Sequence, residues 1–592
     1  MAVSLRSRVL SPSGLTAAVG LVVLASVAVV GPIVWGDAAG ATNVPDRLQT
    51  SSLEHPFGTD ELGRDVLARV LVATRLSVLL ALGATAISAV GGILLGLVPT
   101  VLPPRPRRVL TGLIDLLLTF PWLLLALFFS VIWGASSTGA MLAVGFAGVP
   151  GFARLTYTLA SSIMGRDYVR AARIVGIGPL GVLARHVLPN ASPALLVNVA
   201  VSAAGALLAF AALSFLGLGV QPPEYDWGRL LREGIVRIYV NPLAAIGPGI
   251  PIVVAGLVFT LTGELFAATP RRGVLLRRRR GLRPSSSAAH AAPALRPAGT
   301  DLPAAVPDAV SAARELRIAF PDVNGERVER VHGVDVGIRP GEVVGIVGES
   351  GSGKSITAMA LAALIEPPGE VTASELRFRG IDLLRPIDRA GARQLGIELS
   401  MVFQDPLTSL NPSLTIGRQL TEAARVHQGL GRAAADARAL EALESVGIPE
   451  PAKRMRQYPH QLSGGQRQRA MIAMGLMGQP KLVIADEPTT ALDVTVQRQV
   501  LATLKRAQTL TEAAILFISH DIALVSGLCD RILVMKGGHI VEDLPADRLL
   551  QDARHPYTRA LIACVPDMAS DRTVPLPVIG DLDTSTIEEL RR

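Results

Sequence analysis

Long apolar runs separated by short arginine-bearing segments fill roughly the first 270 residues. Beyond about residue 313 the apolar stretches shorten to strand length and alternate with amphipathic ones. The runs at 15–34, 76–98, 110–133, 140–151, 194–220 and 243–268, some interrupted by Gly or Pro, are read as six membrane spans. Arg6 and Arg8, the trio Arg105, Arg107 and Arg108, the group Arg166, Arg170, Arg173 and Arg185, and the set Arg271, Arg272 and Arg277 to Arg280 all fall on one side of those spans. Basic loops stay on the cytosolic face, so both termini are expected there, with 37–65 and 221–241 outside. The first run is too long for a cleavable leader ending at Ala39-Gly40-Ala41 and is read as a retained helix. Asp115 and Glu264 fall near expected cytosolic helix ends, where an interfacial carboxylate accounts for them without an ion pathway.

In the second half the strand pattern at 342–347 runs into Gly348-Glu349-Ser350-Gly351-Ser352-Gly353-Lys354-Ser355, and a helical pattern follows at 356–363. This is a complete phosphate-loop motif in its strand-loop-helix setting. Glycines let backbone N–H groups curl around phosphate oxygens, Lys354 reaches the β and γ phosphates, and the Ser355 hydroxyl can ligate Mg²⁺. More than a hundred residues downstream, the buried-strand pattern at 482–487 delivers Asp486 and Glu487 at its C-terminal end. Asp486 is expected in the Mg²⁺ shell and Glu487 as the base that polarises the attacking water. About two dozen residues before that pair stands Leu462-Ser463-Gly464-Gly465-Gln466, which alone reads as a helix N-cap.

Composition changes the picture in two ways. At 592 residues with 49% hydrophobic content and a mean hydropathy of +0.42, part of the chain must lie in a bilayer, and abundant Gly and Ala suit close helix packing there. A net charge of +8 with only 4% aromatic residues, and no basic-aromatic interleaving, argues for membrane topology and against nucleic-acid binding. Cys529 and Cys564 are the only cysteines, which excludes a disulfide framework and a four-thiolate metal site. Residues 277–312 open on four arginines and continue through Pro, Ser and Ala without periodicity; they read as a flexible tether, its basic start able to contact anionic lipid.

Two segments of the first half carry a resemblance. Tyr168-Val169-Arg170-Ala171-Ala172-Arg173-Ile174-Val175-Gly176, followed by Arg185-His186-Val187-Leu188-Pro189-Asn190, resembles the EAA loop of bacterial ABC importer permeases. Arg170 stands where that pattern has an acidic residue, and His186 where an aliphatic one is common. The outer segment His55-Pro56-Phe57-Gly58-Thr59-Asp60-Glu61-Leu62-Gly63-Arg64-Asp65 is similar to permeases of dipeptide and oligopeptide importers. His55 and His186 are read as structural or interfacial histidines, not metal ligands. The second half resembles ABC ATPases through Ser463 to Gln466 as the signature, Gln404 in Val402-Phe403-Gln404-Asp405-Pro406, Ala491-Leu492-Asp493, and His520 in Ser519-His520-Asp521. That resemblance implies that Gln404 senses Mg²⁺ and water and links to the permease, that Asp493 communicates between subunits, and that His520 contacts the γ-phosphate. It also implies that the signature completes the ATP site of a second subunit. Phe320 is the candidate adenine-stacking aromatic. His555-Pro556-Tyr557-Thr558-Arg559-Ala560-Leu561 resembles the C-terminal extension of peptide- and nickel-importer ATPases; Cys564 has no partner cysteines there, so no iron-sulfur cluster is expected.

The resulting expectation is an all-α permease with six helices at 1–270, including the EAA-like loop at about 166–190. A linker at 271–312, an α/β P-loop ABC ATPase at 313–545 and an extension at 546–592 follow. Such a chain belongs in the bacterial cytoplasmic membrane with its ATPase in the cytosol, using ATP and Mg²⁺ to import dipeptides or oligopeptides. The implied partners are an external solute-binding protein and a second permease and second ATPase, or a second copy of this chain. A nickel or glutathione-type importer is the nearest alternative. An exporter fits less well because the spans are short and the EAA-like loop is present. A non-transport regulator would have a large outer domain or a degenerate site, and the sequence has neither.

Overall fold

The computed structural model describes residues 11–174, 176–267, 308–322, 325–489 and 494–564. By packing they divide into two compact units: one comprises Met1–Met164 and Leu183–Ser287, the other Gly165–Val182 and Ala288–Arg592.

The first unit is helical. Among the described residues five segments are long and apolar enough to cross a membrane: Pro12–Val34, Val66–Val101, Ser137–Met164, Pro179–Phe215 and Pro242–Phe266. At the expected span 110–133 stand two helices, Pro104–Leu118 and Trp122–Trp133, bent by 93°, which taken together are long and apolar enough to make a sixth. Pro121 explains the break: it lacks an N–H, and its ring drives the preceding residue out of helical geometry. Small residues set the closest packing. A methyl group on Gly96 would lie 2.4 Å from the Ala153 carbonyl oxygen, so Val66–Val101 and Ser137–Met164 meet backbone to backbone. Ser88 adds a hydrogen bond across that seam, its Oγ donating to the Gly145 carbonyl at 2.7 Å.

The segment 55–65 is held by a polar lattice. His55 Nδ1 lies 2.8 Å from Asp65 Oδ2, as expected of a structural histidine. Asp60 accepts from Arg64 Nε and from the buried Arg69 Nη1, both at 2.7 Å, and Arg69 also reaches Glu233 at 2.9 Å. Trp227, fully buried, donates its indole N–H to the Val70 carbonyl at 3.0 Å.

The second unit carries two sheets. β1 (Ser311–Pro321), β2 (Arg327–Ile338), β4 (Glu370–Thr372), β5 (Glu375–Phe378) and β6 (Ile381–Asp382) form an antiparallel sheet ordered β2-β1-β5-β6, with β4 also on β1. The main sheet is ordered β11-β10-β3-β9-β8-β7, from β3 (Val343–Val347), β7 (Leu399–Val402), β8 (Leu482–Asp486), β9 (Ala514–Ile518), β10 (Arg531–Lys536) and β11 (His539–Pro545). All its pairings are parallel except that of the edge strand β11. β3, β8 and β9 are buried along their whole length, which is why they read as continuous apolar runs. Helices Ile416–His427, Arg432–Ser445 and Gly464–Leu476 lie between β7 and β8 in the chain.

Helix Asp167–Ile174, between two apolar helices in the chain, belongs by packing to this second unit. Its Tyr168, Val169 and Ala172 are buried. Asp167 accepts a hydrogen bond from Thr408 Oγ1 at 2.6 Å, and Arg173 pairs with Glu366.

Candidate functional site

Parallel sheets present ligand-binding loops at the C-terminal ends of their strands, and the order β7-β8-β9-β3 sets four such ends side by side. Gln404 follows β7, Asp486 ends β8 with Glu487 just past it, His520 follows β9, and the loop 348–355 leaves β3. Residues scattered over more than 160 positions of sequence thereby meet at one edge.

Gly351 and Gly353 adopt φ of +89° and +104°, a left-handed region that a side chain would strain, and the helix Lys354–Leu361 starts directly after them. Lys354 is buried, its ammonium donating to the carbonyls of Gly348 and Glu349 at 2.7 and 2.8 Å. Burial lowers its pKa, opposed by the nearby carboxylates of Glu487, Asp486 and Glu349. Ser352 Oγ is buried without a hydrogen-bond partner among the described residues. Two left-handed glycines, a buried ammonium and an orphaned hydroxyl make up a loop that a bound phosphate chain would satisfy.

Opposite the loop, Ser355 Oγ donates to Asp486 Oδ1 at 2.9 Å. Burial pushes the Asp486 carboxyl up to about 6; the Ser355 hydrogen bond offsets this, while the neighbouring Glu487 charge adds to it. Glu487 sits just past the strand at φ +45°, unusual for a non-glycine residue. Its N–H donates to the Ile518 carbonyl at 3.0 Å. Its carboxylate receives Gln404 Nε2 at 2.7 Å on one oxygen and lies 3.5 Å from His520 Nδ1 on the other.

The signature residues stand apart. Ser463 caps the helix Gly464–Leu476: its Oγ accepts from Gln466 N at 3.3 Å and Gln466 Oε1 accepts from Ser463 N at 3.2 Å, a reciprocal capping box. Among the described residues neither side chain hydrogen-bonds to the loop 348–355. Asp493 lies outside the described residues. Phe320 is half-buried near the end of β1, opposite Val328. Two features escape a reading of sequence alone: the Asp167–Thr408 hydrogen bond, and Tyr557, whose hydroxyl meets the phosphate loop. The only signal for Tyr557 was its place in the His-Pro-Tyr-Thr run.

Fold and site together define a membrane transport ATPase. Three family models match in one chain: "Binding-protein-dependent transport system inner membrane component" over 88–272, "ABC transporter" over 331–490, and "Oligopeptide/dipeptide transporter, C-terminal region" over 541–587. The dipeptide transport ATP-binding protein DppD of Escherichia coli is 48% identical over 258 residues, 44% of this chain and 79% of its own length. The oligopeptide transport ATP-binding protein OppD of Bacillus subtilis is 47% identical over 258 residues, 43% of this chain and 72% of its own. The solved dimer of the ATP-binding cassette MJ0796 bound to ADP and Pi aligns at 25% identity over 40% of this chain and 98% of its own, with a TM-score of 0.36. The chain belongs to the ABC transporters of peptide-importer type, with a permease fused to its ATP-binding subunit. It is a multi-pass membrane protein with a separate ATP-binding, ATP-hydrolysing domain, and its family works with partner subunits and a binding protein.

Proposed function

We propose that this chain supplies one permease and one ATPase to an importer of dipeptides or oligopeptides. An external binding protein delivers the solute, and a second permease and second ATPase complete the assembly. The two peptide-importer relatives and the peptide-transporter C-terminal region support the substrate class.

The observation that carries the mechanism is the Glu487 carboxylate, held between Gln404 and His520 beside the Asp486–Ser355 pair. Holding Glu487 at a left-handed φ costs on the order of 1–3 kcal/mol, a strain that surrounding structure sustains at functional sites. The carboxylate, oriented by the Gln404 amide, accepts a proton from the attacking water. Lys354 moves its ammonium from the loop carbonyls to the phosphate oxygens, and His520 faces the terminal phosphate. The Ser355 hydroxyl and the Asp486 carboxylate are hard oxygen donors suited to Mg²⁺, and the raised Asp486 pKa marks a buried charge that such a cation would relieve. When bound, that cation neutralises charge developing on the phosphates. The signature of the partner ATPase closes over the nucleotide, so ATP joins two cassettes and hydrolysis releases them. Motion then reaches the spans through Asp167 and Thr408, which lie close in sequence to the EAA-like run and to Gln404 respectively.

Uptake of labelled dipeptide by cells with and without this chain tests the reading. Loss of uptake, restored by the wild-type chain and not by Glu487→Gln, supports peptide import. Unchanged uptake redirects the assignment to nickel or another solute.

A further inference from the structure

The phosphate loop is gripped by two segments late in the chain, the turn between β10 and β11 and the helix that follows the main sheet. At Glu349, where the chain leaves β3, the backbone N–H donates to the Tyr557 hydroxyl oxygen at 2.9 Å. At Ser352 the backbone carbonyl accepts from the N–H of Gly538, in the turn between β10 and β11, at 2.9 Å. The arch 349–352 is therefore pinned at both ends.

The Tyr557 pin is itself well built. On β11, Glu542 Oε1 accepts from the backbone N–H groups of Arg554 and His555 at 2.6 and 2.7 Å, anchoring the chain just before helix Pro556–Ala563. His555 Nδ1 caps that helix by accepting from Tyr557 N at 3.1 Å, and Pro556 opens it with the fixed φ a first turn requires. Tyr557 is 3% exposed, and the Lys536 ammonium lies 4.8 Å from its ring centroid. The His-Pro-Tyr run thus has a physical reading: histidine caps, proline starts the turn, and tyrosine reaches the loop.

We propose that Tyr557 is a positioning residue of the ATP site, through which the C-terminal extension holds the phosphate loop in its binding shape. This rests on reading 348–355 as the ATP site. Because the Glu349 N–H is occupied from outside, the arch is ordered before any phosphate arrives, and ordering done in advance appears as affinity. Once the hydroxyl is lost, part of the binding free energy goes to ordering the arch. The effect therefore falls on ATP affinity, not on the chemical step.

The test is Tyr557→Phe in the full-length chain, reconstituted in nanodiscs, with KM and kcat for MgATP turnover, affinity for a fluorescent ATP analogue, and hydrogen exchange over residues 348–353. Loss of one neutral hydrogen bond predicts a roughly two- to tenfold rise in KM and Kd with kcat preserved. Faster exchange at the Glu349 amide should accompany it, with the melting temperature nearly unchanged, since the ring and its Lys536 contact remain. Tyr557→Leu, which removes the ring as well, should weaken ATP binding at least as much. Unchanged KM and exchange in Tyr557→Phe would overturn the proposal, as would parallel falls in kcat and melting temperature. Fast exchange at the Glu349 amide in the wild type would do so independently of any variant. A wild-type chain that binds no ATP would instead defeat the reading of the loop.

Discussion

The phosphate loop and the signature are both short, glycine-rich turns ahead of a helix, yet they are held in opposite ways. The loop 348–355 is tied into distant parts of the fold: Ser355 to Asp486, Glu349 to Tyr557, Ser352 to Gly538. The signature is satisfied locally, Ser463 and Gln466 capping one another. A turn cross-linked to its own domain is organised to hold a ligand there. One that closes its hydrogen bonds within four residues leaves its glycine face free for something else. On the proposed reading that is the nucleotide of a second ATPase, so one chain builds half of each of two sites.

The contrast can be broken by substitution. The largest effect is expected at Glu487→Gln, where removing the base should cut ATP turnover about 10²- to 10⁴-fold with ATP affinity kept; turnover near the wild-type rate would end the assignment. Next is Asp486→Asn. The Asp486 carboxyl is raised from 3.8 to about 6, so its stabilising protonated form is fully present below 3.8 and lost as pH rises through about 6. Above pH 6 the buried charge costs about 3 kcal/mol, which the Asn variant avoids. Melting of the nucleotide-free chain at pH 8 should therefore rise in the variant and match the wild type near pH 4, while MgATP turnover is lost; an Asn variant no more stable at pH 8 would refute the burial argument.

Ser463→Ala probes the self-contained turn. As a cap alone, Ser463 is worth about 1 kcal/mol of stability. If it also meets the partner's nucleotide, turnover should fall roughly 10- to 100-fold beyond that, on the scale of a lost charge-assisted hydrogen bond. Stability and turnover moving together would make it a cap and nothing more. The smallest effect is expected at Thr408→Val, which deletes the donor to Asp167 at a cost of about 1 kcal/mol. Peptide uptake per ATP hydrolysed should drop with ATP affinity unchanged; an unaltered ratio would remove this contact from the coupling route.

Legibility in the sequence followed the range of the interactions concerned. Apolar runs announced the spans because the bilayer sets their length, yet 110–133 looked continuous until Pro121 was seen to divide it into helices bent by 93°. The motif at 55–65 was recognisable as a string. That Asp60 serves Arg64 and Arg69 together, and that Arg69 continues to Glu233, required the fold. Tyr557 was visible only as a letter in a run, because its partner is a backbone N–H some 200 residues earlier, and backbone groups leave no mark in sequence.

The sequence by itself determined that the chain enters a membrane, that its second half binds a nucleotide phosphate, and which residue types stand ready for chemistry. Those properties depend on local composition and on spacing within a few turns. Only the tertiary structure decided that Gln404, Asp486, Glu487 and His520 converge on Gly348 to Ser355, because strand order, not chain order, sets which strand ends are neighbours. It also decided that helix Asp167–Ile174 packs with the ATPase unit and that the C-terminal helix reaches the phosphate loop. Contacts between segments far apart in the chain depend on how sheets and helices stack, which no short window of residues encodes.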